Sequence, residues 1–204
     1  MRKRGYHHGN LRAALIDAAL TLIEQKGPTG FTLSEAAKQA GVTPAAVYRH
    51  FKGREDLIAG VALEGYKIFG ELMEYTSTKN ETGLLAFEST GRAYLAFARK
   101  HPGHYIAMFE SSISINSNPD LARAALHALG QLEIATEKLT AHMPIDKRPP
   151  ASMVAAHIWA MSHGVVELFA RGSPGTQSPF PAEDLLESGI GIYLRGLGLL
   201  PPDQ

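Results

Sequence analysis

The chain has 204 residues, of which 45% are hydrophobic and 20% are charged, a balance typical of a globular protein with material for one core or two small ones. Cysteine is absent, which excludes disulfides, thiolate zinc sites and cysteine redox chemistry and fits a reducing cytoplasm. We find no run of about 18 apolar residues and no signal-peptide core, so the sequence favours a cytoplasmic protein without a membrane span.

Net charge is formally zero, but the charges are distributed unevenly. Residues 1–54 carry nine Lys and Arg against three Asp and Glu, and residues 55–204 carry the opposite excess of six charges. A basic head on an acidic body is typical of a small nucleic-acid-binding domain joined to a domain that should not bind nucleic acid.

The chain opens with a basic arm, residues 1–8. Its cations can contact phosphates or lie in a minor groove, and the alternative is a disordered solubilising tail. The adjacent His7 and His8 lack a partner cluster, so we expect surface histidines and no metal site. The cations of the arm are Arg2, Lys3 and Arg4.

After the arm, helical spacing of apolar residues predicts a helix from Leu11 to about Lys26. A second helix follows the capping box of Thr32 and Glu35, in which each residue bonds the backbone N–H of the other. Gly41 ends this helix, because glycine adopts the left-handed conformation without strain.

A third helix is predicted from Ala45 to about Phe51, with Thr43 as its N-cap and Pro44 in its first turn. Two short helices joined by a glycine-containing turn, here residues 32–51, form the helix-turn-helix reader of DNA. The alternative is an ordinary helical hairpin. The outer face of the third helix favours DNA reading, because polar, basic and aromatic side chains make a poor core face.

Beyond these two short helices, the apolar residues of the chain also recur at helical spacing, without strand signals or internal repeats. A long helix, 54–75, connects the two halves of the chain, and the polar stretch 76–83 is predicted to be a loop. Further helices are predicted at 84–100, 104–115, 118–142, 151–171 and 182–197.

These motifs resemble the DNA-binding domain of the TetR family of bacterial transcriptional repressors, over roughly residues 8–68. Gly53-Arg54 departs from the family pattern, which more often has Ser, Asn or Asp followed by Lys, but a basic residue still opens the next helix. The matching residues are Thr32-Leu33 through Gly41-Val42-Thr43, Val47-Tyr48-Arg49-His50-Phe51-Lys52 and Arg54-Glu55-Asp56-Leu57.

A second resemblance lies in the body. The run 91–109, GRAYLAFARKHPGHYIAMF, followed by Trp159 and by His163-Gly164, is similar to the WHG-type C-terminal domain of some TetR-like regulators. The resemblance implies an all-α fold with a three-helix DNA-binding head, 1–68, and a helical effector-binding and dimerisation body, 69–204. It also implies a homodimer that represses at a palindromic operator and is released by a small molecule.

From these resemblances we expect DNA contacts in the basic arm and around the helix-turn-helix, residues 32–51. Tyr48 can contact phosphate or a thymine methyl, and Arg49 phosphate or guanine. His50 is either a phosphate contact or a half-buried helix-end histidine. The full set of candidates is Arg2, Lys3, Arg4, Thr32, Thr43, Ala45, Ala46, Tyr48, Arg49, His50, Lys52 and Arg54.

The last two helices offer a surface for a second copy, which is needed because one head recognises too little sequence and two heads read a palindrome. Gly189 and Gly191 are costly in a helix unless something packs closely against them. The alternative is that these residues belong only to the internal core. The candidates for the interface are Leu185, Leu186, Gly189, Ile190, Tyr193 and Leu194.

Aromatic and methionine residues of the body can line an effector pocket, although such a stripe is more often simple core. His163 and Glu167 have a metal-capable spacing but no third ligand, so we expect neither metal nor cofactor. The pocket candidates are Tyr94, Phe97, Tyr105, Met108, Phe109, Trp159 and His163.

Two other classes of function remain as alternatives. We find no glycine-rich phosphate loop, no Gly-x-Ser-x-Gly motif and no His-Glu-x-x-His motif, so an enzyme is not expected. An architectural DNA-binding protein would have a tightly packed body, and no small molecule would change its affinity for DNA.

Overall fold

The computed structural model describes residues 11–79, 83–171 and 178–200, with backbone only for 83–87. Within these ranges every regular element is helical, as the sequence predicted. Short 3₁₀ turns occur at Ile115–Ser117 and Ile145–Lys147, and a π-helical turn, Val166–Ala170, continues α8. The helices are α1 Leu11–Lys26, α2 Leu33–Gln39, α3 Pro44–Val47, α4 Arg54–Lys79, α5 Gly83–Lys100, α6 Pro102–Phe109, α7 Pro119–Thr140, α8 Ala151–Val165 and α9 Ala182–Gly196.

The chain divides into two compact units. The head unit comprises Met1–Tyr66 with His101–Arg123, and the body unit comprises Lys67–Lys100 with Ala124–Gln204. The head unit therefore includes α6 and the start of α7, which the sequence-based division placed in the body. The reason is packing, because α6 lies against α1.

The core of the head unit forms where α1 buries one apolar stripe, as its spacing predicted. Phe31, Val47 and Phe51 fill the same core from the loops and from α3. Close helix crossings at two glycines complete it: a Cβ on Gly65 would lie 2.6 Å from Met108 Sδ, and one on Gly103 would lie 2.7 Å from Leu20 Cδ1. The buried stripe of α1 is Leu15, Ile16, Ala18, Ala19, Leu22 and Ile23.

The core of the body unit contains an aromatic cluster and the inner face of α9. The Phe69 ring lies edge-on to Tyr94, with ring centroids 5.2 Å apart, and 5.0 Å from the Phe97 centroid. Leu186 of α9 packs where α5 has Gly91, whose Cβ would lie 3.4 Å from Leu186 Cδ2. These contacts make α9 part of the chain's own core.

The predicted ends of α4 and α6 are wrong. Helix α4 continues to Lys79 rather than ending near Tyr75, because Thr76 and Ser77 donate their hydroxyl groups to carbonyls of the preceding turn and so remain compatible with the helix. Helix α6 ends at Phe109 rather than near Ile115. The chain then passes through Ser112, whose φ of 59° is incompatible with helix continuation.

The stretch Ile145–Ala170 contains an 18-residue window with a mean hydropathy of 1.3, long and apolar enough by composition alone to cross a membrane. The window is not an unbroken apolar run, because it contains His157, His163 and Glu167. Part of this stretch is apolar because it belongs to the protein core: Val154, Ile158 and Val166 are buried in the body unit, where α8 lies against α9.

Candidate nucleic-acid interface

The turn between α2 and α3 has the geometry that the sequence predicted. Gly41 has φ of +71°, and its N–H donates to the Lys38 carbonyl. The Val42 N–H donates to the Ala37 carbonyl at 2.9 Å, which closes the C-terminus of α2. A residue with a Cβ is strained in this conformation, so Gly41 fixes the direction in which α3 begins.

The start of α2 carries the predicted capping box. The Glu35 N–H donates to Thr32 Oγ1 at 3.2 Å, and the Thr32 N–H donates to Glu35 Oε2 at 2.8 Å. Lys26 Nζ lies 2.6 Å from Glu35 Oε1, which ties α2 to the end of α1. The hydrogen bond from Lys26, followed by those from Thr32, lowers the pKa of Glu35 to about 2.

The recognition helix α3 is shorter than predicted. It spans only Pro44–Val47, and the expected helix to Phe51 is wrong in length. The His50 N–H bonds the Val47 carbonyl three residues back, which converts the helix into a turn. Thr43 occupies the N-cap position, but its side chain makes no capping hydrogen bond.

The segment Thr43–Lys52, which we call the reading segment, exposes the side chains predicted to contact DNA. Tyr48 is 62% exposed, and Arg49 and His50 are also exposed, so His50 is not the half-buried alternative. The fully buried Val47 anchors the segment from beneath. Its exposed members also include Thr43, Ala45 and Lys52, whereas Ala46 is half-buried.

Arg54 has a structural role that the sequence did not suggest. Its Nη1 donates to the Thr29 carbonyl at 3.1 Å, so the half-buried guanidinium joins the start of α4 to the loop after α1. Thr32 is exposed next to it, and a groove of about 370 Å³ lies between the starts of α2 and α4. The groove is lined by Phe31, Thr32, Gly53, Arg54 and Glu55.

The predicted contacts from the arm, Arg2, Lys3 and Arg4, lie outside the described residues and stay predictions. The arm joins α1, whose first turn carries Arg12. The guanidinium carbon of Arg12 lies 5.1 Å from the Phe51 ring centroid, a contact that sequence reasoning missed. A basic residue at the start of α1 was the only available signal, because no local spacing links positions 12 and 51.

The predicted effector residues divide between the two units. In the body unit, the Trp159 indole N–H donates to Tyr94 Oη at 3.2 Å, and Tyr94 Oη shares a hydrogen bond of 3.0 Å with His163 Nδ1. Phe97 is buried in the same unit. The structure thus brings Tyr94, Trp159 and His163 together as a polar network within an aromatic cluster.

The other three effector candidates belong to the head unit. Tyr105 and Met108 are buried there, and the Phe109 ring lies 4.9 Å from Tyr105 and 5.9 Å from Tyr66, measured between centroids. Burial raises the pKa of Tyr66 to about 12. This cluster is part of the core of the head unit, which is the alternative that the sequence left open for these residues.

Family models match most of the chain. Residues 15–61 match the model described as "Bacterial regulatory proteins, tetR family", and residues 87–193 match the model described as "Tetracyclin repressor-like, C-terminal domain".

The chain belongs to the TetR family.

It is accordingly a helix-turn-helix transcriptional regulator, and the resemblance stated from its motifs is confirmed.

Individual TetR-family proteins resemble the chain to different extents. It is 31% identical to "Uncharacterized HTH-type transcriptional regulator YobS" of Bacillus subtilis (strain 168) over 48% of this chain and 51% of that protein, so this match spans about half of YobS. It is 27% identical to "HTH-type transcriptional regulator BetI" of Brucella anthropi over 91% of this chain and 94% of BetI.

Among solved structures, AibR "in complex with isovaleryl coenzyme A and operator DNA" superimposes with a TM-score of 0.67, over 89% of this chain and 97% of AibR, at 18% identity. This likeness shows the shared fold.

The predicted dimer residues of this TetR-family chain lie on two sides of α9. Leu186, Ile190 and Leu194 are at most 5% exposed and belong to the chain's own core, as the alternative reading of the sequence had it. Leu185, Gly189 and Tyr193 are half-buried. Tyr193 Oη shares a hydrogen bond of 2.7 Å with His157 Nδ1, which links α9 to α8 on its more open side.

Among the exposed residues of α8, of the π-helical turn that continues it and of α9, which include polar ones such as His157 and Ser188, four are large and apolar. We call this set of residues the apolar face. Exposed apolar side chains of this size either pack against a partner surface or lower the solubility of the protein. The members of the apolar face are Met153 (44% exposed), Leu168 (47%), Phe169 (37%) and Ile192 (67%).

Proposed function

We propose that this TetR-family protein is a cytoplasmic, homodimeric repressor that binds a palindromic operator and leaves it when the body unit binds a small molecule. It acts by binding and not as an enzyme. The observation that carries the proposal is the reading segment, which exposes Tyr48 and Arg49 at the end of a four-residue helix anchored by Val47.

The reading segment suits the major groove. Its small N-terminal residues, Thr43 and Ala45, permit close approach to base edges, and the uncapped Thr43 hydroxyl is a candidate partner for a base or phosphate. The exposed cations of the segment, Arg49 and Lys52, suit backbone phosphates.

The homodimer is supported by the apolar face. Two copies related by a two-fold axis would bury the same residues on both subunits. A palindromic site then follows, since each half-site meets one reading segment. We place the interface on the exposed residues of α8 and α9 rather than on the buried Leu186, Ile190 and Leu194.

The effector proposal rests on the Tyr94–Trp159–His163 network and on a neighbouring groove. Trp159 also lines a groove of about 240 Å³ between α7 and α8, whose other walls are mainly Leu126, Leu129, Leu132 and Ala156. An apolar groove beside a small set of hydrogen-bonding groups is the usual form of a small-molecule site. The AibR structure, which contains a ligand and operator DNA together, supports a ligand-responsive body in this fold.

The proposed mechanism is a shift between two conformations. Helix α4 contributes residues to both units as one continuous helix. An effector that binds more tightly to the conformation with low DNA affinity would hold the two heads at a spacing that does not match successive major grooves. Its effect on DNA affinity cannot exceed its differential affinity for the two conformations.

The test is selection of duplexes from a random-sequence pool by the purified protein at two salt concentrations. We expect enrichment of a two-fold symmetric site, with affinity that falls steeply as salt rises. Weak binding without enrichment would overturn the proposal of a sequence-specific repressor, provided that mass spectrometry of the denatured sample finds no co-purified ligand.

The role of the reading segment is tested with Tyr48→Ala and Arg49→Ala on the enriched duplex. Each should weaken binding by roughly 10- to 100-fold, because a dimer loses the contact twice. Lys147→Ala is the charge-matched control, since Lys147 is exposed in the body unit. Wild-type affinity in both variants, with the fold and dimer intact, would exclude this segment as the reader.

The effector site is tested by fluorescence, because Trp159 is the only tryptophan of the chain. Isovaleryl coenzyme A and a panel of small apolar acids and amines would be titrated while the emission of Trp159 and the binding of the operator are recorded. A true effector changes both signals. A compound that releases DNA without changing the Trp159 emission, in wild type and in Ala156→Leu alike, would place the effector site elsewhere.

A further inference from the structure

Arg12 of the head unit packs its guanidinium on an aromatic ring and is in no ion pair among the described residues. Its guanidinium carbon lies 5.1 Å from the Phe51 ring centroid, a distance at which the ring face attracts a cation. The side chain is exposed, and among the ion pairs of the described residues none involves Arg12. Its position is therefore restricted while its charge stays available.

The ring beneath Arg12 is fixed to the reading segment. The Phe51 N–H donates to the Val47 carbonyl at 3.0 Å, and the side chain is only 2% exposed. On the side of α4, a Cβ on Gly60 would lie 3.2 Å from Phe51 Cε1, so the ring is closely packed. Phe51 itself belongs to the reading segment, between the exposed His50 and Lys52, so its ring joins Arg12 of α1 to that segment.

We propose that Arg12 is a DNA-phosphate contact that α1 supplies at each half-site, with Phe51 as its positioning residue. The proposal rests on the DNA-binding function above and adds a contact outside the helix-turn-helix. A phosphate at the edge of the major groove accepts paired hydrogen bonds from the planar guanidinium. Stacking on Phe51 restricts the guanidinium before DNA arrives, so less side-chain freedom is lost on binding.

The experiment compares Arg12→Ala with wild type on the duplex that wild type enriches from a random pool. Affinity is measured by fluorescence anisotropy over a series of salt concentrations. The slope of log K against log salt is negative, and each lost phosphate contact reduces its magnitude by about 0.9. A dimer that loses two contacts should therefore have a slope smaller in magnitude by about 1.8. Affinity at low salt should fall on the order of tenfold.

Matched variants separate this role from packing. Lys147→Ala removes one exposed positive charge from the body unit and should keep the wild-type slope. Arg12→Lys keeps the charge and should also keep the slope, with weaker binding than wild type because the ammonium lacks the planar fork. Phe51→Leu keeps an apolar side chain but removes the ring, and it should weaken binding with the slope unchanged.

A slope for Arg12→Ala equal to that of Lys147→Ala would overturn the contact. A loss of affinity that accompanies a fall in melting temperature, with no change in slope, would also overturn it, because a structural role predicts that pattern. If wild type enriches no duplex, the proposed function fails first and this contact fails with it. If wild type enriches a site and Arg12→Ala keeps the slope, only the role of Arg12 fails.

Discussion

The reading segment and the apolar face present opposite chemistry to solvent. The reading segment exposes Tyr48, Arg49 and Lys52 over a small buried anchor, whereas the apolar face exposes Ile192 and Leu168 over a helix whose inner side is core. Charge suits a polyanionic partner that must be released, and apolar area suits a partner that stays bound. In the proposed function, one chain thus separates a reversible contact with DNA from a lasting contact between subunits.

Glycine positions also differ in how closely they are packed. A Cβ on Gly65 of the head unit would meet Met108, and a Cβ on Gly70 of the body unit would lie 2.9 Å from His127 Cδ2. Gly130 of α7 has nothing within 4 Å of its Cβ position. We therefore expect substitutions at the close crossings to act on stability, and substitutions on the apolar face to act on assembly.

The largest expected effect is on the dimer. Ile192→Asp places two charges in a symmetric interface and should raise the dimer dissociation constant on the order of 100-fold or more. Sedimentation equilibrium measures the constant, and circular dichroism checks the fold. Ile145→Asp is the control, because Ile145 is 83% exposed but lies outside the apolar face. Dissociation by Ile145→Asp alone would move the interface away from α8 and α9.

A pair of glycine substitutions compares a close helix crossing in the head unit with an open helix position in the body unit. Gly65→Ala should destabilise the protein by about 1–3 kcal/mol, since its Cβ would also lie 3.0 Å from His104 Cβ. Gly130→Ala in the open helix α7 should stabilise it by up to about 1 kcal/mol. Urea unfolding followed by circular dichroism measures both. Equal and small effects would mean that the crossing at Gly65 is no more closely packed than position 130 of α7.

Acid should destabilise the head unit through His104. The side chain is 7% exposed, and its Nε2 has no hydrogen-bond partner among the described residues. Burial, followed by the nearby charge of His101, lowers its pKa to about 4, while Asp17 acts weakly in the opposite direction. Glu64 Oε2 lies 3.9 Å from Nε2.

Because the folded-state pKa of His104 lies below its unfolded value, His104 contributes stability above pH 6.5 that is lost as the pH falls toward 4. The loss should reach about 2 kcal/mol between pH 7 and pH 5. Urea unfolding at both pH values should show a smaller loss for His104→Gln than for wild type. The exposed His142→Gln is the control. The same pH dependence in all three proteins would contradict the assignment to His104.

The smallest effect is expected at Glu35, whose lowered pKa comes from the hydrogen bonds of Lys26 and Thr32. A depressed carboxyl pKa gives stability above pH 4.5 that is lost as the pH falls toward 2. Wild type should therefore melt slightly above Glu35→Gln at pH 7, and the difference should shrink by pH 3. A difference that grows in acid would show that the capping box does not depend on the ionised carboxylate.

Prediction from sequence succeeded where the signal is local. The capping box of Thr32 and Glu35 and the left-handed Gly41 require only residues three or four apart, so the start and end of α2 were placed correctly. The same kind of reasoning overestimated α3. After Val47 the backbone makes a three-residue hydrogen bond, from the His50 N–H to the Val47 carbonyl, and no capping signal in the sequence marks that position.

The sequence by itself determined the helical class, the basic head and the reading segment, because these follow from composition, periodicity and capping over short distances. Only the tertiary structure decided which side of α9 is core, that α6 joins the head unit, and that Arg12 lies over Phe51. These features pair residues that are distant in the chain. Such pairs are selected by packing in three dimensions, and no spacing rule in the sequence specifies them.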